Sequence, residues 1–138
     1  MKKGQIIEGI IERVDFPNKG VVPVDVGKTV IVKNGVPGQK VSIAINKIRK
    51  GKAEGRLLEV LEKSPLELAE AACTHFGSCG GCTYQNLSYE EQLNLKSSQV
   101  QGLLNAVIKS NDSYHFEGIH PSPQQFGYRN KMEFTFGD

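Results

Sequence analysis

Asn34-Gly35-Val36-Pro37-Gly38-Gln39-Lys40-Val41 reads as two turns in immediate succession that release the chain into a β-prone run. Asn-Gly and Pro-Gly both supply a residue that tolerates positive φ, and proline fixes the φ of the position before the second glycine. On either side the pattern is the same: short β-branched runs punctuated by glycine, with no helical periodicity across residues 1–63. The spacing predicts strands at Gln5 to Val14, Val21 to Val24, Thr29 to Val32, Gln39 to Lys47 and Arg56 to Leu61, with Gly51 and Gly55 bracketing a polar hairpin. Five strands in so short a stretch suit a small closed barrel, because closure removes edges that a small sheet cannot otherwise protect.

Charge divides the 138-residue chain in two. Residues 1–63 carry 13 Lys and Arg against 7 Asp and Glu, and residues 64–138 carry 4 against 8, so the overall +2 is a cancellation. Two units are expected with that boundary, each with its own partner. In the first, positive charge gathers late, at Lys47, Arg49, Lys50 and Lys52, with Lys28, Lys33 and Lys40 on earlier turns and strands. Such a surface attracts a phosphate backbone, and it equally keeps a small barrel in solution. Phe16 is the only aromatic residue before position 76, which favours tracking the backbone over reading bases.

At 38% hydrophobic and 23% charged, the composition excludes disorder and collagen. Acidic residues interrupt the apolar stretch after Met1-Lys2-Lys3, and no long apolar run follows, so a monomeric cytoplasmic protein is expected.

Residues 73–82 read Cys-Thr-His-Phe-Gly-Ser-Cys-Gly-Gly-Cys, a C-x5-C-x2-C spacing. Three cysteines within ten residues are too few and too close for a disulfide framework. Three thiolates on a glycine-rich loop can converge on one centre, and thiolates select zinc, cuprous copper or an iron–sulfur cluster. Zinc and cubane sites usually take four ligands. His75, His115 or His120 could complete a zinc site, a coordination position could stay open for chemistry, or the fourth ligand could lie beyond Asp138.

Further on, Ser88-Tyr89-Glu90-Glu91 forms a capping box and predicts a helix start. Tyr89, Leu93, Val100, Leu103, Leu104, Val107 and Ile108 recur on one face as a core-packing stripe, and Ser110-Asn111-Asp112 is expected to end the helix. Leu66 to Ala72 is expected to add a helical turn. From Asn130, alternation predicts a strand, with Tyr128, Arg129 and Lys131 at its beginning as candidates for stacking and phosphate contact with RNA.

Gly4-Gln5-Ile6-Ile7-Glu8-Gly9-Ile10-Ile11 and the opening octapeptide look like the TRAM domain, a small OB-like RNA-binding barrel. Taken with the cysteine spacing and Phe126-Gly127-Tyr128-Arg129-Asn130-Lys131-Met132-Glu133-Phe134, the chain resembles the RNA uracil-5 methyltransferase family, most closely its ribosomal RNA branch. Radical S-adenosylmethionine methylthiotransferases share these parts, but with a C-x3-C-x2-C motif placed before the barrel.

The resemblance implies a mixed fold, an all-β OB-like five-stranded barrel followed by part of an α+β central domain. It implies that Cys73, Cys79 and Cys82 ligate a [4Fe-4S] cluster whose fourth cysteine lies downstream of a truncated end. S-adenosylmethionine and the catalytic residues then belong to the parent enzyme, since no nucleophilic cysteine and no strand, Gly-rich turn and helix unit is found in this chain. The competing expectation is a self-standing RNA-binding adaptor with a zinc or iron–sulfur knob.

Overall fold

The computed structural model describes residues 1–49, 52–108, 113–131 and 133. The chain separates into two compact units, Met1–Leu66 and Glu67–Asp138.

The first unit is built on strands β1 (Ile6–Ile10), β2 (Arg13–Asp15), β3 (Lys19–Asp25), β4 (Lys28–Val32), β5 (Lys40–Arg49) and β6 (Lys52–Glu62). They form one sheet in the order β1-β5-β6-β4-β3-β2. β1 and β2 sit at opposite edges of that order yet are joined by only Ile11 and Glu12, so the sheet curls until its two edges meet. Ile11 N–H donates to the carbonyl of Gln39 and Glu12 N–H to that of Val21, both at 2.9 Å, which hands the strand from β5 to β3. Counted with this bent strand as one, the barrel has the five OB-like strands expected. The single strand expected over Gln5 to Val14 is thus corrected to two, because its outer half and inner half have different neighbours.

All pairings are antiparallel except β4 with β6, where Val30 lies beside Ala53 and Ile31 beside Glu54. Alternation along β4 and β5 turns Val30, Val32, Val41, Ile43 and Ile45 inward, each at most 1% exposed; in β3 the adjacent Val21 and Val22 are both buried, and Ile11 and Val36 are buried with them. Burying such a side chain stabilises the fold by about 1.5–3 kcal/mol. The turn stretch behaves as its chemistry dictates: Asn34 and Gly38 take φ of 65° and 87°. Gln39 is also needed there. Only 3% exposed, it accepts the Val36 N–H on its side-chain oxygen at 2.9 Å. Gln39→Leu strands that buried donor, and chemical denaturation is expected to show a loss of about 1–3 kcal/mol.

Space is tight at Gly55 in β6. A Cβ there would run into Ile43 Cγ2, with the Ala44 carbonyl at 3.0 Å and Val30 Cγ1 at 3.4 Å. None of these three can swing away, so Gly55→Ala overpacks the core. Thermal melts are expected to register about 1–3 kcal/mol of destabilisation.

In the second unit Ser88 caps helix α1 (Tyr89–Val107), its side chain accepting from Glu91 N–H at 3.2 Å. The helix leaves its regular geometry at Ile108. The expected stop at Ser110-Asn111-Asp112 lies outside the described residues. The apolar stripe is not core: Val100, Leu103 and Val107 are 43%, 51% and 81% exposed. The one buried helix residue is Gln99, hydrogen-bonded to the buried Tyr84, and this polar pair sets which face turns inward. Burial pushes the Tyr84 phenol upward from its ordinary pKa, and the Gln99 bond opposes that shift. No helical turn forms over Leu66 to Ala72; Glu67 bridges to Leu87 instead, with Leu68 N–H donating to the Asn86 carbonyl at 2.8 Å.

Residues 113–131 carry no strand. They are tied to α1 by Tyr89, whose hydroxyl accepts from Ser122 N–H at 2.6 Å, and by the Tyr114 hydroxyl donating to Asn105 at 2.6 Å. Among the described residues from Asn130 onward the expected strand is not formed, and Met132 and residues 134–138 lie outside them.

Candidate functional site

Three groups of candidates emerge, one in the first unit and two in the second. In the barrel, the last buried residue of β5 is Ile45 and the first of β6 is Ala53, so the hairpin between them projects past the core. Its orientation depends on a register irregularity between Ile45 and Lys47. Simple alternation from Val41, Ile43 and Ile45 would turn Lys47 and Arg49 into the barrel; the irregularity resets the pleat and puts them outside. Arg49 pairs directly with Lys52, and Lys47 with Glu54, so these four side chains share one face. Lys47 Nζ stands 3.9 Å from the Glu54 carboxylate, an exposed pair of small energetic weight. Arg49 and Lys52 have no ion-pair partner among the described residues, and both are exposed. Lys50 lies outside the described residues. The hairpin therefore offers unpaired cations to an anionic backbone.

In the second unit the three cysteines lie on one loop, Cys73 and Cys82 exposed and Cys79 half-buried. Gly77 takes φ of 94°, and the Cys79 N–H donates to the His75 carbonyl at 2.9 Å, which tightens the chain between the first two thiols. Two N–H groups point at sulfur: Gly81 N–H meets Cys79 Sγ at 3.4 Å, and the Gln85 amide meets Cys82 Sγ at 3.6 Å. The other end of the Gln85 amide accepts from Cys73 N–H at 2.8 Å, so one side chain bridges the first and last cysteines. In chemistry the donor set, three sulfurs on one loop, fits a soft metal. Among the described residues no three His, Cys, Asp or Glu side chains are close enough to share a metal ion, and this holds for the thiols and for His75, His115 and His120.

Tyr128 is 57% exposed, and the Arg129 guanidinium lies 5.8 Å from its ring centroid in a cation–π contact. Hydrogen bonding to Tyr128 raises the Arg129 pKa above its ordinary value, with a smaller push in the same direction from Cys82. Lys131 Nζ stands 3.4 Å from the Glu133 carboxylate, both well exposed. An aromatic face and two cations are thus solvent-facing.

Against this geometry stands the similarity to known proteins. An uncharacterized RNA methyltransferase of Caldanaerobacter subterraneus subsp. tengcongensis is 50% identical over 138 residues, 99% of this chain and 30% of that protein. Uncharacterized RNA methyltransferases of Clostridium tetani and Clostridium acetobutylicum are 45% and 42% identical over 139 residues, 100% of this chain and 29% of each relative. The chain is similar to a stretch of RNA methyltransferases. It spans about 30% of the length of these relatives. No protein-family model matches it. No helix among the described residues is long and apolar enough to cross a membrane.

Nothing in the spacing of a lone glutamine marks Gln85 as a bridge, and the sequence pattern does not single it out. In the RNA methyltransferase-like cysteine loop its removal has a local signature. Gln85→Leu keeps the bulk and deletes both bonds; a bond of about 1 kcal/mol corresponds to roughly fivefold faster amide exchange at Cys73. Hydrogen exchange by NMR checks this without any metal present.

Proposed function

We propose that this chain is the RNA-recruiting and cysteine-bearing portion of an S-adenosylmethionine-dependent RNA (uracil-5) methyltransferase acting on large-subunit ribosomal RNA, a monomeric cytoplasmic enzyme. The observation that carries the proposal is the order of parts: an OB-like barrel with a projecting basic hairpin, then a C-x5-C-x2-C loop, in a chain similar along its length to RNA methyltransferases.

In this reading Arg49 and Lys52 neutralise phosphates, with Lys47 beside them and Lys50 between, and fix the RNA in register without reading its bases. Tyr128 and Arg129 present a stacking surface and a charge to an RNA loop, and Lys131 adds a second cation. Cys73, Cys79 and Cys82 hold a [4Fe-4S] cluster, with the fourth ligand contributed elsewhere in the parent enzyme. When bound, the cluster supplies a rigid cross-link and local charge, since methyl transfer requires no net oxidation or reduction. The Gln85 amide and Gly81 N–H then hold the thiolates in place.

The deciding experiment incubates the parent enzyme with ribosomal RNA and methyl-labelled S-adenosylmethionine, followed by nucleoside analysis. Label in 5-methyluridine is expected. RNA binding without methyl transfer at any uridine would leave an adaptor and sink the enzyme reading.

A further inference from the structure

The turn between β2 and β3 carries a feature that phosphate tracking does not use. Phe16, the one aromatic residue of the barrel, is not in its core: it stands 54% exposed at the tip of that turn.

The turn holding it is locked. Asn18 Nδ2 donates to Asn34 Oδ1 at 2.8 Å, while Asn34 N–H donates to Asn18 Oδ1 at 3.0 Å. This reciprocal pair joins the β2–β3 turn to the stretch after β4, where Asn34 already sits at positive φ. The local charge is also sorted. Arg13 engages Glu12 at 3.2 Å and Asp15 at 3.0 Å, which neutralises the acidic groups beside the ring. Asp15 pairs with Lys19, and Gly20 with Val32, so Lys19 and Lys33 lie at this same end of the β3–β4 ladder. Both are exposed, and neither has an ion-pair partner among the described residues. An exposed aromatic face at the same end of the barrel as two cations that have no ion-pair partner among the described residues, on a turn that needs no ordering, suits an unpaired base and its neighbouring phosphates.

We propose that Phe16 is a stacking platform for one unpaired nucleobase of single-stranded RNA, with Lys19 and Lys33 taking the flanking phosphates. The inference rests on the RNA-binding reading of the barrel and sharpens it: the hairpin at Arg49 and Lys52 holds backbone, and the turn at Phe16 holds a base. The ring has no hydrogen-bonding groups, so it selects unpaired over paired RNA and does not select sequence.

The test uses the intact chain and a uridine-rich single-stranded RNA, titrated at several salt concentrations. Phe16→Ala is expected to weaken binding by about 5- to 150-fold, the usual effect of removing one stacked base, with the salt slope unchanged. The chain contains no tryptophan, so Phe16→Trp installs a single indole, expected to retain binding and to be quenched on adding RNA but not on adding inorganic polyphosphate. Wild-type affinity in Phe16→Ala together with an unquenched indole would overturn the platform while leaving the RNA-binding reading intact. A wild-type chain that binds no RNA at any salt overturns that reading, and the platform with it. If Phe16→Ala lowers the melting temperature and the indole stays unquenched, Phe16 packs against protein and the platform is wrong.

Discussion

Arg49→Ala combined with Lys52→Ala is expected to weaken binding of single-stranded RNA about 25-fold at 0.1 M salt, roughly fivefold for each phosphate that is no longer neutralised. The magnitude follows from counterion release. Each neutralised phosphate steepens the dependence of log affinity on log salt by about 0.7 for a single strand, so the double variant should also flatten that dependence by about 1.4. A merely solubilising role for these side chains predicts no change in slope. Lys47 provides an internal control, since Glu54 holds it at 3.9 Å. Glu54→Gln releases the lysine and removes a repulsive charge from the same face, so binding should tighten while the barrel keeps its melting temperature.

Replacing any one of Cys73, Cys79 or Cys82 with serine is expected to abolish iron–sulfur incorporation, and the triple variant should be no worse than a single one. The three thiols act as one ligand set, and a cluster left with a harder oxygen donor at one corner is not retained under chelator challenge. The measurement is iron and acid-labile sulfide content, with visible absorbance, in the anaerobically reconstituted parent enzyme. Cys73 and Cys82 are exposed, so serine at those positions leaves no cavity, and a loss of metal there reports on ligation rather than folding. Stoichiometric zinc in place of iron and sulfide would replace the cluster by a zinc site. Full retention of iron by the triple variant would remove these residues from the metal centre altogether.

What the residues make legible is whatever is decided within a few neighbours. The positive φ values of Asn34 and Gly38, the Ser88 cap and four of the five expected strands follow from local turn chemistry, capping and alternation. The failures share another origin, in partners that are distant in sequence. Nothing in Gln5 to Val14 says that its first half will meet β5 and its second half β3. The pleat reset after Ile45 is likewise silent in an unbroken Val41, Ile43, Ile45, Lys47, Arg49 alternation, although it decides whether the hairpin's cations face solvent. On α1 the apolar periodicity is genuine, yet it does not mark the core. Gln99 is drawn inward by the Tyr84 hydroxyl, and the hydrophobic positions at Val100, Leu103 and Val107 stay exposed. The cysteine loop is legible from spacing, whereas its Gln85 bridge reaches back twelve residues and depends on the loop's path.

The place of β6 has a consequence for how this chain is made. Emerging last of the barrel strands, it inserts between two that are already synthesised, antiparallel to β5 and parallel to β4. Until the ribosome has released Glu62, a nascent barrel presents both of those strands as open, valine- and isoleucine-rich edges. No earlier pairing can cover them, because β1 occupies the far side of β5, through Ile6 and Ala44, and β3 the far side of β4. Translation stalled between Arg49 and Lys52 would therefore leave a sticky, unclosed sheet. The strand that carries half of the basic hairpin is also the one that makes the newborn protein safe from its neighbours.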